Sequence, residues 1–382
     1  MPRSQDHTSL LIAVKRILLH LPLRSLNVRL GLFAILLGLT LTACGSAPTP
    51  PTPTPLPPTP TVNAALFPTL ATLIPTSSPT VPAPQLETFY YTHPTEIFRL
   101  IPPKRWTITE GSSFVEFDDP DGKGKITICV VNTGLPLDDD AFERFVQARE
   151  KNLFAVFDGY AQLSEKLHKS IGEAEMKKSL SVEGRTTVIQ SSYLRLGQAI
   201  VILDFWADQT VQESYFRIFS IIREHVSLNA QVIPQMDVYA TQETFLFSTS
   251  HISTTIPTSW MHTQKIAKYT LIDTFASPDK QAFIQAVIYD DGQAVSLTDA
   301  GAFIRTLLRN YYAEDIIITS DLVVANGRER LHWYSNSAGY SGDTVFEVKG
   351  TAFLLFTVMY NDNAQAIYAD RLEQILLDYI HR

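Results

Sequence analysis

The chain has 382 residues, 45% hydrophobic and 18% charged, with 39 Asp and Glu against 31 Lys and Arg and a formal net charge of −8. That length allows more than one folded domain, and the acidic balance argues against a nucleic-acid binder, which presents a basic face. Two cysteines, Cys44 and Cys129, are too few for a disulfide framework.

The N-terminal segment carries Lys15, Arg16, Arg24 and Arg29, then an apolar run from Leu30 to Ala43. A spanning helix needs roughly 20 apolar residues, so a run of about 14 suits a signal segment better than a comfortable anchor. An ordinary secretory signal and a short membrane anchor are the alternatives. The run closes on Leu41-Thr42-Ala43-Cys44. These four positions resemble the lipobox of bacterial lipoproteins. The resemblance implies cleavage between Ala43 and Cys44, lipidation of Cys44, and a mature chain held on the extracytoplasmic face of a cell membrane. Residues 1–43 would be the signal peptide. Without it, 26 Lys and Arg face 38 Asp and Glu, a net charge of −12. That argues against a polybasic patch lying on anionic lipid. Cys129, in Lys125-Ile-Thr-Ile-Cys-Val-Val131, is expected in a strand as a small hydrophobe.

Between Ala47 and Gln85 fall 13 of the 23 prolines. Proline lacks the N–H and fixes φ, so this Pro/Thr tract is expected as an extended polyproline II spacer of at most roughly 120 Å. Residues 44–87 are therefore read as lipidated Cys plus linker.

The remainder reads as an internal duplication, with expected domains 88–246 and 247–382. Phe98-Arg-Leu-Ile-Pro-Pro-Lys-Arg-Trp106 matches Ile252-Ser-Thr-Thr-Ile-Pro-Thr-Ser-Trp260. A strand pair around a turn follows each, at Asp119-Pro120-Asp121-Gly122 and at Ser277-Pro278-Asp279, then strands at Ile126–Val131 and Ala282–Tyr289. Next comes an amphipathic helix. Asp138, Asp139 and Asp140 precede Phe142, Phe145, Val146 and Leu153; Ser296 or Thr298 precedes Ala300, Phe303, Ile304, Leu307, Leu308 and Tyr311. A meander with Gly184-Arg185 or Gly327-Arg328 turns follows. Strands are expected near Ala199–Trp206 and Thr344–Val348. The apolar runs Tyr215–Ile222 and Ala352–Tyr360 predict strands buried on both faces. A closing helix is expected from Asn229 and from Asn363, the second carrying Tyr368, Leu372, Ile375, Leu376 and Tyr379.

The expected fold class is α+β, two tandem domains, each an antiparallel β-sheet with helices packed on its faces. This order of elements, with the Ile-Pro-x-x-Trp opening, resembles the PsbP-like superfamily, which includes DcrB-type lipoproteins. The first copy departs by one extra residue before Trp106. The resemblance implies binding, assembly or chaperone work and transfers no catalytic residue.

No metalloprotease, nucleophile-elbow, phosphate-loop or Cys-x-x-Cys motif is present. His251 and His262 flank the Trp260 turn but are read as surface residues. Asp118, Asp119, Asp121 and Gly122 lack the spacing of a calcium loop and read as a hairpin turn, as does Asp290-Asp291-Gly292. Ser341 is expected in a loop. Trp206, Trp333 and Tyr334 are expected in strands as core. Trp106 and Trp260 are expected to plug the sheet ends, and the groove beside them is the candidate binding site. The expected function is a membrane-anchored, non-enzymatic binding protein with no cofactor, no metal and a protein partner. The alternative is a glycan or small-molecule binder using the cleft between the copies.

Overall fold

A computed structural model describes residues 83–238, 243–293, 297–324 and 328–382, apart from the side chains of 297–300. The signal segment, Ala43, Cys44 and most of the Pro/Thr tract lie outside the described residues, as do Ser296 and the Asn326-Gly327 turn.

The molecule is mostly β, with two seven-stranded antiparallel sheets and a few helices. Short strands β1 (Tyr91–Thr92) and β2 (Phe98–Leu100) lead into β3 (Thr107–Glu110), β4 (Phe114–Asp118) and β5 (Gly124–Asn132). Helix α1 (Asp139–Arg149) continues as a π-helical turn, Glu150–Phe154. Strands β6 (Ala161–His168), β7 (Glu173–Val182), β8 (Arg185–Leu196) and β9 (Ala199–Asp208) follow, then α2 (Gln212–His225) and β10 (Ser227–Leu228). The second half repeats the plan. Strands β11 (Thr244–Ser248), β12 (Ser253–Pro257), β13 (Met261–Ala267), β14 (Thr270–Ala276) and β15 (Ala282–Asp290) precede α3 (Leu297–Tyr311). Then come β16 (Ile317–Val323), β17 (Glu329–Ser335), β18 (Tyr340–Lys349), β19 (Ala352–Asn361) and α4 (Gln365–His381).

Both sheets have one strand order, β3-β4-β5-β9-β8-β7-β6 and β13-β14-β15-β19-β18-β17-β16. The expected division at 246/247 falls inside β11, whose five residues pair with β12. β9 and β19 are the central strands, which explains their unbroken apolar sequence. Their side chains alternate between faces. Val201, Leu203 and Phe205 join Tyr215, Phe219 and Ile222 of α2. Ile200 and Ile202 join Phe142, Phe145 and Val146 of α1 on the other face. In the second half Leu354, Phe356 and Val358 pack with Leu372, Ile375 and Leu376 of α4. Phe353 points the other way and meets Phe303 of α3 edge-on at 5.1 Å.

Local chemistry accounts for the boundaries. Asp138 caps α1, its carboxylate accepting from the Ala141 amide at 2.6 Å, and Asp139 and Asp140 lie in the first turn beside the positive helix end. The β7–β8 turn has positive φ at both central residues, Glu183 and Gly184, the backbone that matches strand twist in a two-residue hairpin.

Three expectations are corrected. Tyr215–Ile222 is not a strand but the middle of α2. Tyr215, Phe219 and Ile222 are buried at spacings of four and three while Ser220 and Ile221 are exposed, a period that a short apolar run conceals. The expected helix from Asn229 is a turn followed by a 3₁₀ turn at Ile233–Gln235 that contains Pro234. Its role is already filled by α2, so the counterpart of α4 lies upstream of where Asn-Ala-Gln places it. Ser341 is in β18, paired opposite Tyr360 and Tyr334, not in a loop.

Candidate functional site

Trp106 and Trp260 stand just before β3 and β13, as the repeat requires. They are 7% and 1% exposed. Each packs on a helix tyrosine, Trp106 on Tyr215 at 6.1 Å and Trp260 on Tyr368 at 6.0 Å. Each tyrosine hydroxyl donates to a carboxylate of the Pro-Asp hairpin, Tyr215 to Asp119 at 2.7 Å and Tyr368 to Asp279 at 2.6 Å. The acceptor precedes the proline in one copy and follows it in the other. Both indoles are buried against these tyrosines, so neither presents an exposed ring to the expected groove beside them. His251 and His262 turn to separate partners, Ser250 Oγ at 2.6 Å and Asp273 Oδ1 at 2.8 Å. Cys129 is buried in β5, and burial pushes its thiol up to about 12. Among the described residues no group of three or more His, Cys, Asp and Glu side chains can hold a metal ion.

Two other sites emerge at one position of the repeat. Leu196 pairs with Ala199 across one hairpin and Lys349 with Ala352 across its counterpart. Counting along the strands from there, Asp204 corresponds to Thr357, Ser191 to Thr344 and Lys178 to Trp333. In the first half this position is a buried charge cluster. Arg149, 1% exposed, donates through Nη2 to Asp204 Oδ2 at 2.6 Å and through Nη1 to the Tyr193 hydroxyl at 2.9 Å. Lys178 Nζ donates to Glu150 Oε1 at 2.6 Å and Ser191 Oγ at 2.7 Å, and it lies 3.5 Å from the centre of the Phe154 ring. Ser191 donates in turn to Asp204. Burial would raise the Asp204 carboxyl, yet Arg149 and Lys178 hold it below the usual range; burial pushes the Lys178 ammonium down to about 8.

This cluster also joins the halves. Arg149 Nε reaches Glu243 Oε2 at 2.5 Å, just ahead of β11. Asn152 donates to the carbonyls of Thr258 and Trp260, both at 2.8 Å, and Arg144 to that of Pro278 at 2.6 Å. The π-helical turn supplies Glu150 and Asn152 to opposite sides of the joint. Every charge here has a partner and all but Glu243 have little access to water, so the cluster is suited to holding the halves together.

In the second half the same position is neutral and open. Trp333 is fully buried, and its Nε1 donates to Thr344 Oγ1 at 3.0 Å. A Cβ on Gly342 would lie 2.6 Å from Trp333 Cζ2, so glycine is what admits the indole. Tyr312 stacks on Trp333 at 5.1 Å and 16°, as Phe154 covers Lys178 in the first half. Around this floor Phe283, Tyr311, Tyr340 and Met359 line an open pocket of about 260 Å³. Burial raises both Tyr311 and Tyr312 above the ordinary tyrosine range, which keeps them as neutral phenols. From the sequence alone Trp333 reads as core and Tyr311 as part of a helix stripe. The Tyr311-Tyr312 pair at the helix end was the available signal.

No family model matches the chain, and no curated protein does. Solved structures similar to it include one from Bacteroides thetaiotaomicron, 13% identical over 41% of this chain and 52% of that one, TM-score 0.28. This chain thus spans about half the length of that structure. Another is the cyanobacterial PsbP of Synechocystis, 8% identical over 41% of this chain and 99% of that one, TM-score 0.30. A third is the immunity protein TplEi of the type VI secretion system of Pseudomonas aeruginosa, complexed with "L" peptide. It is 11% identical over 72% of this chain and 97% of that one, TM-score 0.19.

Proposed function

We propose that this protein is a lipid-anchored, extracytoplasmic and non-enzymatic binding protein that engages a protein partner through the aromatic pocket of its second half. In this reading residues 1–43 are a signal peptide, Cys44 carries the lipid, residues 44–87 are the stalk, and 88–246 and 247–382 are tandem PsbP-like domains. The observation that carries the binding role is the divergence of one repeat position. The first half fills it with paired charges that hold the halves together; the second leaves it as an aromatic pocket. Aromatic anchors in concave sites are the usual energetic centre of a protein interface. The cleft between the copies has less to support it as a ligand site, since Arg149, Asn152 and Arg144 bond directly across the joint.

Two experiments test the reading. Cys44→Ser is expected to abolish acyl labelling and release the protein from the membrane fraction; unchanged labelling refutes the anchor. Affinity purification of the intact lipoprotein from solubilised membranes, beside a Tyr311→Ala variant, tests the pocket. A partner retained equally by both proteins refutes the pocket as its site.

A further inference from the structure

We infer that the second-half aromatic pocket binds an alkylammonium group, the lysine side chain of a basic partner being its source. The inference rests on the proposed binding role and adds the chemistry of the anchor. Four half-buried rings, Phe283, Tyr311, Tyr312 and Tyr340, stand around the buried Trp333. Ring faces carry negative charge density and attract a desolvated cation. No cationic residue lines the pocket. A fixed anion lies beside it instead. The lining residue Ser335 donates to Asp315 Oδ1 at 2.5 Å, and the Ser337 hydroxyl and amide also donate to that carboxylate. The cavity of about 260 Å³ admits a trimethylammonium head. The first half shows the same pairing of groups one layer deeper, at the place of the buried Trp333, where the ammonium of Lys178 lies against the Phe154 ring. A basic partner also complements the net charge of −12 expected for the mature chain.

The test is calorimetric titration of the full chain in a non-ionic detergent. The probes are choline, its neutral isostere 3,3-dimethylbutan-1-ol, and an N-acetyl-lysine amide. Choline and the lysine probe are expected to bind at least roughly tenfold tighter than the alcohol, a ratio equal to about 1.4 kcal/mol of cation–ring attraction. Phe283→Leu keeps an apolar wall but removes a ring; it is expected to weaken both cations and leave the alcohol unchanged. Phe283→Lys installs the residue type found at the corresponding Lys125, which pairs with Trp206 as Phe283 pairs with Met359. It is expected to abolish cation binding, with an unchanged unfolding midpoint as the folding control. Equal binding of choline and the alcohol, or binding of neither, overturns the inference. Partner capture that persists in such a case leaves the binding role standing with an apolar anchor. Choline binding without lysine binding overturns the lysine source.

Discussion

Replacing Arg149 with Met should be the most damaging single change at the joint between the halves. The guanidinium makes a two-pronged pair with Asp204, which is 3% exposed, and a second with Glu243, whose side chain is 28% exposed. Removing it strands Asp204 in the core, and breaking a buried pair from one side costs about 3–5 kcal/mol. Glu243→Gln removes only the outer charge while Asp204 still neutralises Arg149, so about 1–2 kcal/mol is expected. For a folded unit of this size 1 kcal/mol moves the melting midpoint by roughly 2–4 °C. Arg149→Met should therefore lower it by about 6–20 °C, against about 2–8 °C for Glu243→Gln. The double change Arg149→Met/Asp204→Thr, which installs at 204 the residue type of position 357, should recover at least half of the loss because the one charge left without its partner, Glu243, is part-exposed to water. Urea titrations followed by tryptophan fluorescence measure all three. The reasoning is refuted if the two single variants agree within about 1 kcal/mol, or if the double variant is no more stable than Arg149→Met.

Lys178, at about 8 when folded, lies below the ordinary lysine value of about 10.4. Between those values the unfolded chain keeps the proton that the folded chain has released, so this group makes stability rise with pH across that window. Urea midpoints should rise from pH 8 to pH 10 in wild type relative to Lys178→Met; parallel curves would sink the claim. The comparison matters because Cys129, raised to about 12, acts in the opposite sense, its contribution being lost as pH climbs above the unfolded thiol value. Iodoacetamide at pH 8 should label Cys129 only at the rate of unfolding, as read by mass spectrometry, and rapid labelling of folded protein would contradict its burial. Tyr215→Phe and Tyr368→Phe each remove one hydrogen bond to a turn carboxylate. Each should cost about 1.5–3 kcal/mol in urea unfolding, and no loss in either would show that the hairpin carboxylate does not hold the tyrosine.

Much of the architecture was legible because it rests on local signals. Asp138 before an apolar stripe marks a helix start. Gly184-Arg185 marks a hairpin. The matched Ile-Pro and Trp residues expose the duplication. The errors arose where local signals are degenerate. Tyr215–Ile222 is apolar enough to read as a buried strand, and only the burial of every third or fourth residue identifies α2. Ser341 sits among Gly339, Gly342 and Asp343, a composition that suggests a loop, yet pairing with β17 and β19 holds it in a strand. The Trp106 and Trp260 positions were found, but their inward direction depends on Tyr215 and Tyr368, more than 100 residues away in each case.

The sequence by itself determined the repeat, most of its strands and helices, the acidic balance and the strand setting of Cys129, because each follows from composition or short-range period. Only the tertiary structure decided what the repeat is used for. Lys178, Ser191 and Asp204 lie on three strands, and nothing in any one strand announces that they share a cluster with Arg149. Trp333, Thr344 and Thr357 occupy the same three places in the second half. Register brings each set together, since a strand pair sets side chains from distant stretches about 5 Å apart. One scaffold position has thus become a charged joint in one half and an aromatic pocket in the other.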